Sequence, residues 1–315
     1  KGKTQPGYSC RSAKKLIELI NDAKEESINT ILEMAARKED AKCKALIVSG
    51  CLAHRYQDEL TKEIPEVDAF LGTSSYDKIA EVVLSVLEGK GYNIIDSADR
   101  LVTTENKRII TTGGYYEYLK IAEGCDKHCT YCIIPKVRGN FRSYPYEYIL
   151  KQANELVDMG VKELILVAQE TTMYGTDIYG KKCLGELLHK LAAIPELKWI
   201  RILYCYPEEI DDSLIEAIKS EPKVCHYIDM PIQHSSDNIL KRMGRRTSRQ
   251  ELVDIITKLR KEIPDIALRT TLITGFPGET EEDHQDMLEF VDEMEFDRLG
   301  VFTYSPEEDT PAATM

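Results

Sequence analysis

Glu123-Gly124-Cys125-Asp126-Lys127-His128-Cys129-Thr130-Tyr131-Cys132-Ile133-Ile134-Pro135 is the stretch that decides the fold, and it follows a strand-like run at 116–122. Its three cysteines, Cys125, Cys129 and Cys132, are separated by three and by two residues. Cysteine thiolates are the usual ligands of iron–sulfur clusters, and a four-iron cluster has four irons to bind. Three protein ligands leave one iron open, and an open coordination position is typical of a catalytic metal. The stretch therefore predicts a catalytic [4Fe-4S] cluster.

This spacing, with Tyr131 directly before the last cysteine, resembles the signature of the radical S-adenosylmethionine (SAM) enzymes. In that superfamily SAM binds the open iron, and an electron from the cluster cleaves it to methionine and a 5′-deoxyadenosyl radical. A zinc knuckle with His128 as fourth ligand is the alternative. Zinc sites favour two separate pairs of ligands, whereas His128 lies inside the same tight loop. The resemblance therefore favours a radical SAM cluster.

Composition permits two domains and argues against membrane and secreted proteins. The chain has 315 residues, of which 43% are hydrophobic, and such a length suits two ordinary cores. No run reaches the roughly 18 apolar residues of a membrane span, and the polar start lacks a secretory signal. Nine cysteines, with only three at ligand spacing, do not form a disulfide framework. We expect a reducing cytoplasm, because iron needs free thiolates.

The net charge of −13 and the pI near 5.1 disfavour broad electrostatic capture of nucleic acid and suit a basic partner. Solubility alone explains an acidic surface equally well. The charge therefore does not decide the function.

The part before residue 100 is predicted to be an incomplete α/β unit. A helix beginning at Asn21 or Asp22 and reaching Lys38 carries apolar residues from Ile28 to Ala35 on one face. Two short strands (44–50, 68–71) and two more helices (54–63, 75–88) follow. Alternating helices and strands imply a parallel sheet. Two strands are few for such a domain, so we expect that the N-terminal part of the domain is missing from this sequence.

From residue 115 onward the alternation is regular. Strands are predicted at 116–122, 163–169, 199–204, 227–232, 268–274 and 298–304, with helices between them. The first of these helices has Ser143 as its cap, Pro145 near its start and Gly160 just past its end. Six β/α units in series predict an open, six-stranded (β/α)6 partial TIM barrel, which is also the radical SAM fold. We therefore predict an N-terminal domain at 1–100, a connector at 101–114 and a radical SAM core at 115–315.

The C-terminal ends of barrel strands carry the functional residues, and every distinctive polar or glycine-rich stretch follows a predicted strand. Gln169 and Glu170 occupy the place where radical SAM enzymes bind the SAM ammonium group, and a carboxylate attracts it strongly in a water-poor pocket. The glycine-rich turn at Gly275 lets backbone approach the adenosyl group. The alternatives are an ordinary polar strand end and a plain turn.

Further side chains are predicted to contact SAM or its amino-acid carboxylate: Tyr131, Gln233, Ser235 and Arg245. Arg245 belongs to a basic run at 241–249, which is also typical of a solvated helix end. His234 is expected to be structural, and no catalytic side chain is predicted beyond the cluster.

The chain resembles the methylthiotransferases, and most nearly the branch that modifies ribosomal protein uS12, in these motifs: Asp22-Ala23-Lys24-Glu25-Glu26-Ser27, Ser49-Gly50-Cys51-Leu52-Ala53, Ala168-Gln169-Glu170-Thr171, Pro231-Ile232-Gln233-His234, Met243-Gly244-Arg245-Arg246-Thr247 and Glu307-Glu308-Asp309-Thr310-Pro311. The resemblance implies addition of a methylthio group to the β-carbon of a uS12 aspartate. It also implies SAM, a second [4Fe-4S] cluster and an electron donor of the flavodoxin or ferredoxin type. The alternatives are a tRNA (isopentenyl-adenosine) methylthiotransferase and a fragment that only binds and cleaves SAM.

The N-terminal part departs from the family pattern. The family's second cluster takes three cysteines from this domain, and Cys51 matches the last of them. The middle one should lie just before Asp22, where the sequence reads Lys15-Leu16-Ile17-Glu18-Leu19, and Cys10 is the candidate substitute. The first residue is Lys1, so we expect a fragment boundary there. The sequence ends soon after Pro311, where relatives continue into a small β-barrel (TRAM).

Overall fold

Helices and parallel strands alternate along the residues that the computed structural model describes, which are 22–39, 43–103 and 108–315. These residues divide into two units. The first holds the described residues up to 103 together with 136–138, and the second holds 108–135 and 139–315. No helix in these ranges is long and apolar enough to cross a membrane.

The first unit contains a two-stranded parallel sheet. Its elements are α1 (Asp22–Glu39), β1 (Ile47–Ser49), α2 (Cys51–Glu63), β2 (Ala69–Leu71) and α3 (Ile79–Leu87). Strand β1 pairs with β2 in parallel. Ile28, Ile31 and Ala35 of α1 are buried in one cluster with Val48 and Phe70, which confirms the predicted apolar face of this helix.

The second unit is built on a six-stranded sheet. Its strands are β3 (Tyr116–Lys120), β6 (Glu163–Val167), β7 (Trp199–Ile202), β8 (Val224–Asp229), β9 (Ala267–Thr274) and β10 (Arg298–Thr303). Each strand pairs in parallel with its neighbour in chain order. Parallel neighbours require crossover connections, which the helices supply. The sheet leaves β3 and β10 as its two edges, so the predicted open (β/α)6 fold is confirmed.

In chain order, these helices occur between the first and the last of these strands: α4 (Ile134–Arg138), α5 (Tyr146–Asp158), α6 (Thr176–Tyr179), α7 (Leu184–Ala192), α8 (Asp212–Ser220), α9 (Asp237–Arg242), α10 (Arg249–Glu262) and α11 (Glu281–Met294). Capping boxes begin the two longest of them. Ser248 and Glu251 form the box of α10, and Thr280 and Asp283 form that of α11. Each box satisfies backbone N–H groups that the first helical turn leaves unpaired.

Three local predictions were wrong. Ser143 does not cap α5; it lies in a short antiparallel pair formed by β4 (Ala122–Glu123) and β5 (Arg142–Ser143), and its hydroxyl accepts a hydrogen bond from Gly175 N at 2.9 Å. The first predicted strand is accordingly split into β3 and β4. Strand β8 ends at Asp229, because Pro231 has no N–H to extend the pairing.

Candidate functional site

The first half of the cysteine loop is attached to the end of β6. Gly124 N donates a hydrogen bond to Gln169 Oε1 at 2.8 Å, and Asp126 Oδ1 accepts one from Phe141 N at 2.9 Å. Gly124 has a φ of +80°, and a Cβ at this position would overlap the carbonyl oxygen of Asn140. Only glycine therefore fits where the loop leaves the sheet.

The second half of the loop is attached to residues that lie far along the chain. Thr130 N donates to Met243 O at 2.9 Å, and Thr130 O accepts from Ala312 N at 2.9 Å. His128 takes a left-handed φ of +52°. Within the described ranges, no three His, Cys, Asp or Glu side chains form a site for a single metal ion.

The three loop cysteines offer largely buried thiols. Cys125 and Cys129 are buried and Cys132 is half-buried. Burial raises the pKa of Cys125 to about 12 and also raises that of Cys132. Such thiols hold their protons at neutral pH until a bound cation displaces them, as metal ligation does. A soft donor set of three thiols in one loop suits an iron–sulfur cluster.

Glu170, directly after β6, is a buried carboxylate with one unpaired oxygen. Its Oε1 accepts hydrogen bonds from the backbone N–H, at 2.9 Å, and from the hydroxyl of Thr172. Its Oε2 has no hydrogen-bond partner among the described residues. Burial raises the pKa of Glu170 to about 7, although Thr172 and Lys127 oppose this rise. A cationic ligand would satisfy the free oxygen and favour the ionised form.

Arg245 is a buried cation, not the solvated helix end that its basic run also permitted. Its Nη2 donates to Pro231 O at 3.2 Å and lies 3.7 Å from Glu208 Oε2. Its Nε and Nη1 have no hydrogen-bond partner within the described ranges. Burial lowers the pKa of Arg245, but Tyr131, Tyr206 and Glu208 together raise it above its ordinary value. The guanidinium therefore stays charged, with two nitrogens free for an anion.

Two predicted contact residues, Gln169 and Ser235, bind other parts of the protein, as does the neighbouring His234. Gln169 holds Gly124, as described above. The Ser235 hydroxyl donates to Asp286 Oδ2 at 2.7 Å. His234 Nδ1 accepts from the N–H groups of Ser235 and Ser236, both at 3.0 Å, which agrees with the structural role expected for it.

Two cavities lie beside these groups. One of about 420 Å³ is lined by residues that include Tyr131, Cys132 and Gln233, together with Ile273, Phe302 and Tyr304. The other, of about 260 Å³, is lined by Glu170 and Lys127 among others. Predicted residues that follow three different strands therefore line these two cavities, which lie at the C-terminal ends of the strands.

The glycine-rich turn holds Tyr131 in place. Phe276, which follows Gly275, packs edge-on against the Tyr131 ring with centroids 6.3 Å apart. Gly275 has a φ of +74°, and a Cβ there would meet no atom within 4 Å. Its backbone conformation, not crowding, is what favours glycine at this turn.

Tyr206 and Lys127 are site residues that the sequence reasoning missed. The Tyr206 hydroxyl lies 3.4 Å from Cys129 Sγ. Lys127 forms an ion pair with Glu209, whose other carboxylate oxygen lies 2.7 Å from Lys182 Nζ. Tyr206 lies just after the strand predicted at 199–204, and this position was the available signal.

The structure says less about the cysteines of the N-terminal part, which were considered as ligands of a second cluster. Cys51 is exposed at the first residue of α2. Cys10 lies outside the described residues. Cys43 donates through Sγ to Ala45 O at 3.3 Å. Cys183 and Cys205, which are not at ligand spacing in the sequence, are buried, and Cys225 is half-buried.

Two family models and several curated relatives match this chain. Residues 119–291 match the radical SAM superfamily, and residues 18–72 match uncharacterized protein family UPF0004. The chain is 66% identical over 296 residues to ribosomal protein uS12 methylthiotransferase RimO of Lachnoclostridium phytofermentans, covering 94% of this chain and 67% of the relative. Proteins of the same name from Clostridium botulinum strain Eklund 17B and Geotalea uraniireducens are each 54% identical over 94% of this chain. The chain thus spans about two thirds of the length of these relatives.

Solved structures share the fold at low sequence identity. The radical SAM methyltransferase TsrM from Kitasatospora setae, with cobalamin and a [4Fe-4S] cluster bound, has a TM-score of 0.64 at 13% identity, covering 85% of this chain and 58% of its own. The cobalamin-dependent radical SAM enzyme OxsB has a TM-score of 0.60 at 14% identity, covering 86% and 42%. These two similarities bear on the fold alone.

Proposed function

The chain belongs to the ribosomal protein uS12 methylthiotransferase (RimO) family of radical SAM enzymes, and we propose that it adds a methylthio group to the β-carbon of an aspartate of uS12. The observation that carries this proposal is the 66% identity over 94% of the chain. The relatives described above carry the uS12 name, so the tRNA alternative is not favoured.

The loop cysteines, Glu170 and Arg245 have separate roles in this proposal. Cys125, Cys129 and Cys132 hold a [4Fe-4S] cluster. The free Oε2 of Glu170 accepts a hydrogen bond from the SAM ammonium group, and the free nitrogens of Arg245 donate to the SAM carboxylate. This assignment is supported by the chemistry of an amino acid, whose two opposite charges match the two unpaired groups.

The cavity lined by Tyr131 and Gln233 is assigned to the adenosyl group. Its aromatic wall suits a nucleoside, and the turn at Gly275 stabilises that wall. Cluster and SAM, when bound, supply the 5′-deoxyadenosyl radical that opens the unactivated methylene C–H bond of aspartate, a reaction beyond any side-chain base. In this proposal Gln169 holds the backbone of Gly124, and Ser235 binds the side chain of Asp286.

The remaining assignments follow from the family. Residues 1–100 form the methylthiotransferase N-terminal domain, 101–114 the connector and 115–315 the radical SAM core. Cys51, with Cys10, contributes to a second cluster for the sulfur transfer. Electrons come from a flavodoxin or ferredoxin type of donor, in the reducing cytoplasm where thiolates remain free.

Iron content tests this function most directly. We expect about four irons and four sulfides per chain at the loop after anaerobic reconstitution, and loss of these four when Cys125, Cys129 and Cys132 are replaced by alanine. Replacement of Cys183 and Cys225 by alanine is the matched control and should leave iron unchanged. Iron that persists unchanged in the triple variant would contradict the ligand assignment.

The same samples test the chemistry. The wild type should release 5′-deoxyadenosine from SAM under reducing conditions, and the triple variant should release none. A uS12 peptide and an isopentenylated tRNA, offered separately, distinguish the two substrates by mass spectrometry. Modification of the tRNA alone would overturn the proposed substrate.

A further inference from the structure

Tyr206 lies between two cations and one of the proposed cluster ligands. Its hydroxyl is 3.4 Å from Cys129 Sγ. The guanidinium carbon of Arg245 is 4.2 Å from its ring centroid, and Lys127 Nζ is 5.1 Å from it. Cation–aromatic contacts of this kind favour one ring position. The hydroxyl is therefore aimed at the sulfur by the surrounding charges.

The backbone around Tyr206 is held as well. Its N–H donates to Thr172 Oγ1 at 3.3 Å, and Thr172 is the residue that binds Glu170. A short 3-10 helix, Pro207–Glu209, begins directly after it, and Glu209 at its end pairs with Lys127 of the cysteine loop. The position of the Tyr206 hydroxyl is thus set by groups from three parts of the chain.

The chemistry of the two groups determines which of them donates the hydrogen bond. A thiol and a phenol can each be the donor, but a thiolate bound to iron has no proton to give. The hydroxyl of a tyrosine carries a hydrogen atom that it can donate. The hydroxyl must then donate to the sulfur. Hydrogen bonds to cluster sulfurs stabilise the reduced, more negative state and change the reduction potential.

We propose that Tyr206 is a positioning residue that eases reduction of the SAM-binding cluster by donating an O–H···S hydrogen bond to Cys129. Arg245 and Lys127 hold the ring in place for this contact. The inference rests on the proposed function, since it requires Cys129 to be a cluster ligand. It deepens that function by naming a group that sets how readily the cluster accepts its electron.

The test compares Tyr206→Phe with Tyr204→Phe in the full chain, reconstituted anaerobically. Tyr204 is the matched control, because it lies in the same loop with a ring that is 47% exposed. The readouts are iron per chain and an EPR-monitored redox titration of the cluster without SAM. We expect wild-type iron in both variants. At a fixed solution potential, the ratio of reduced to oxidised cluster should fall several-fold in Tyr206→Phe only.

A spectroscopic measurement on the wild type is independent of any folding defect. ENDOR of the reduced cluster in H₂O and D₂O should show an exchangeable proton coupling that Tyr206→Phe lacks. An unchanged potential at full iron content, no such coupling, or loss of iron in Tyr206→Phe would each overturn the inference. A wild type without iron would instead overturn the proposed function, and the inference would fall with it.

Discussion

Glu170 and Arg245 illustrate how single residues prepare this site for a ligand. Each is buried and charged or chargeable, and each has at least one polar atom that the described residues leave unpaired. Leaving such atoms unpaired costs on the order of 1–3 kcal/mol apiece, and more for charged groups. Proteins keep buried polar groups without a partner mainly where a bound ligand supplies the missing hydrogen bond. The two side chains are therefore better explained by binding than by stability.

Glu170 should make the stability of the protein depend on pH. Its ordinary pKa is 4.5, and burial raises it to about 7 in the folded state. Between these values the folded state binds more protons than the unfolded state, so the free energy of unfolding falls as pH rises from about 4.5 to 7. The full effect is about 3 kcal/mol at most. We expect Tm, measured without SAM, to fall less over this range in Glu170→Gln than in wild type.

The control for this prediction is Glu216→Gln, since Glu216 is exposed on α8. It should follow the wild-type dependence of Tm on pH. If Glu170→Gln and wild type changed in parallel, Glu170 would not titrate as described.

At the scale of elements, the cysteine loop is stabilised by contacts rather than by regular structure. It is bound to Gln169 at the end of β6 and to Met243, directly after α9. It is also bound to Ala312 of a short 3-10 helix at Pro311–Thr314. A cluster requires its ligands to be held in one arrangement. These contacts fix the loop at three places and so favour one arrangement of its cysteines.

Gly124→Ala should disturb the loop and its cluster. The new Cβ would overlap the Asn140 carbonyl, and alanine disfavours a φ of +80°. Gly180→Ala is the matched control, because Gly180 has a φ of +71° and a Cβ there meets nothing within 4 Å. We expect a Tm decrease in both variants but loss of iron in Gly124→Ala alone. Full iron content in Gly124→Ala would show that the loop tolerates the displacement.

At the scale of the whole molecule, the charge of −13 bears on the proposed substrate. Long-range attraction between an acidic enzyme and a basic ribosomal protein is screened by salt, with a Debye length of about 10 Å at 0.1 M. We expect the Kd for purified uS12 to rise several-fold between 0.05 and 0.5 M KCl. Binding of SAM, which depends on short buried contacts, should change much less and is the internal control. A salt-independent Kd for uS12 would show that net charge plays no part.

The order of strands, the cysteine loop and the face that carries the site followed from local sequence. Period and spacing are properties of neighbouring residues, so the strands at 163–169 and 298–304 could be predicted without knowledge of the fold. The same reasoning placed Glu170 at a strand end. It failed at Ser143, because the role of its hydroxyl depends on the distant Gly175 that binds it. At Pro231 the missing N–H was a local signal against the predicted strand at 227–232, and the prediction overlooked it.

Only the tertiary structure decided which side chains meet. Gln169 contacts Gly124 across 45 residues, and Tyr206 contacts Cys129 across 77. The burial of Arg245 is a similar case, since its basic neighbours made a solvated position equally reasonable. The sequence by itself thus determined the β/α order and the position of the cysteine loop, which local patterns encode. Folding determined which charged and hydrogen-bonding groups surround that loop. These groups come from separate strands, and they meet only where the C-terminal ends of those strands lie side by side.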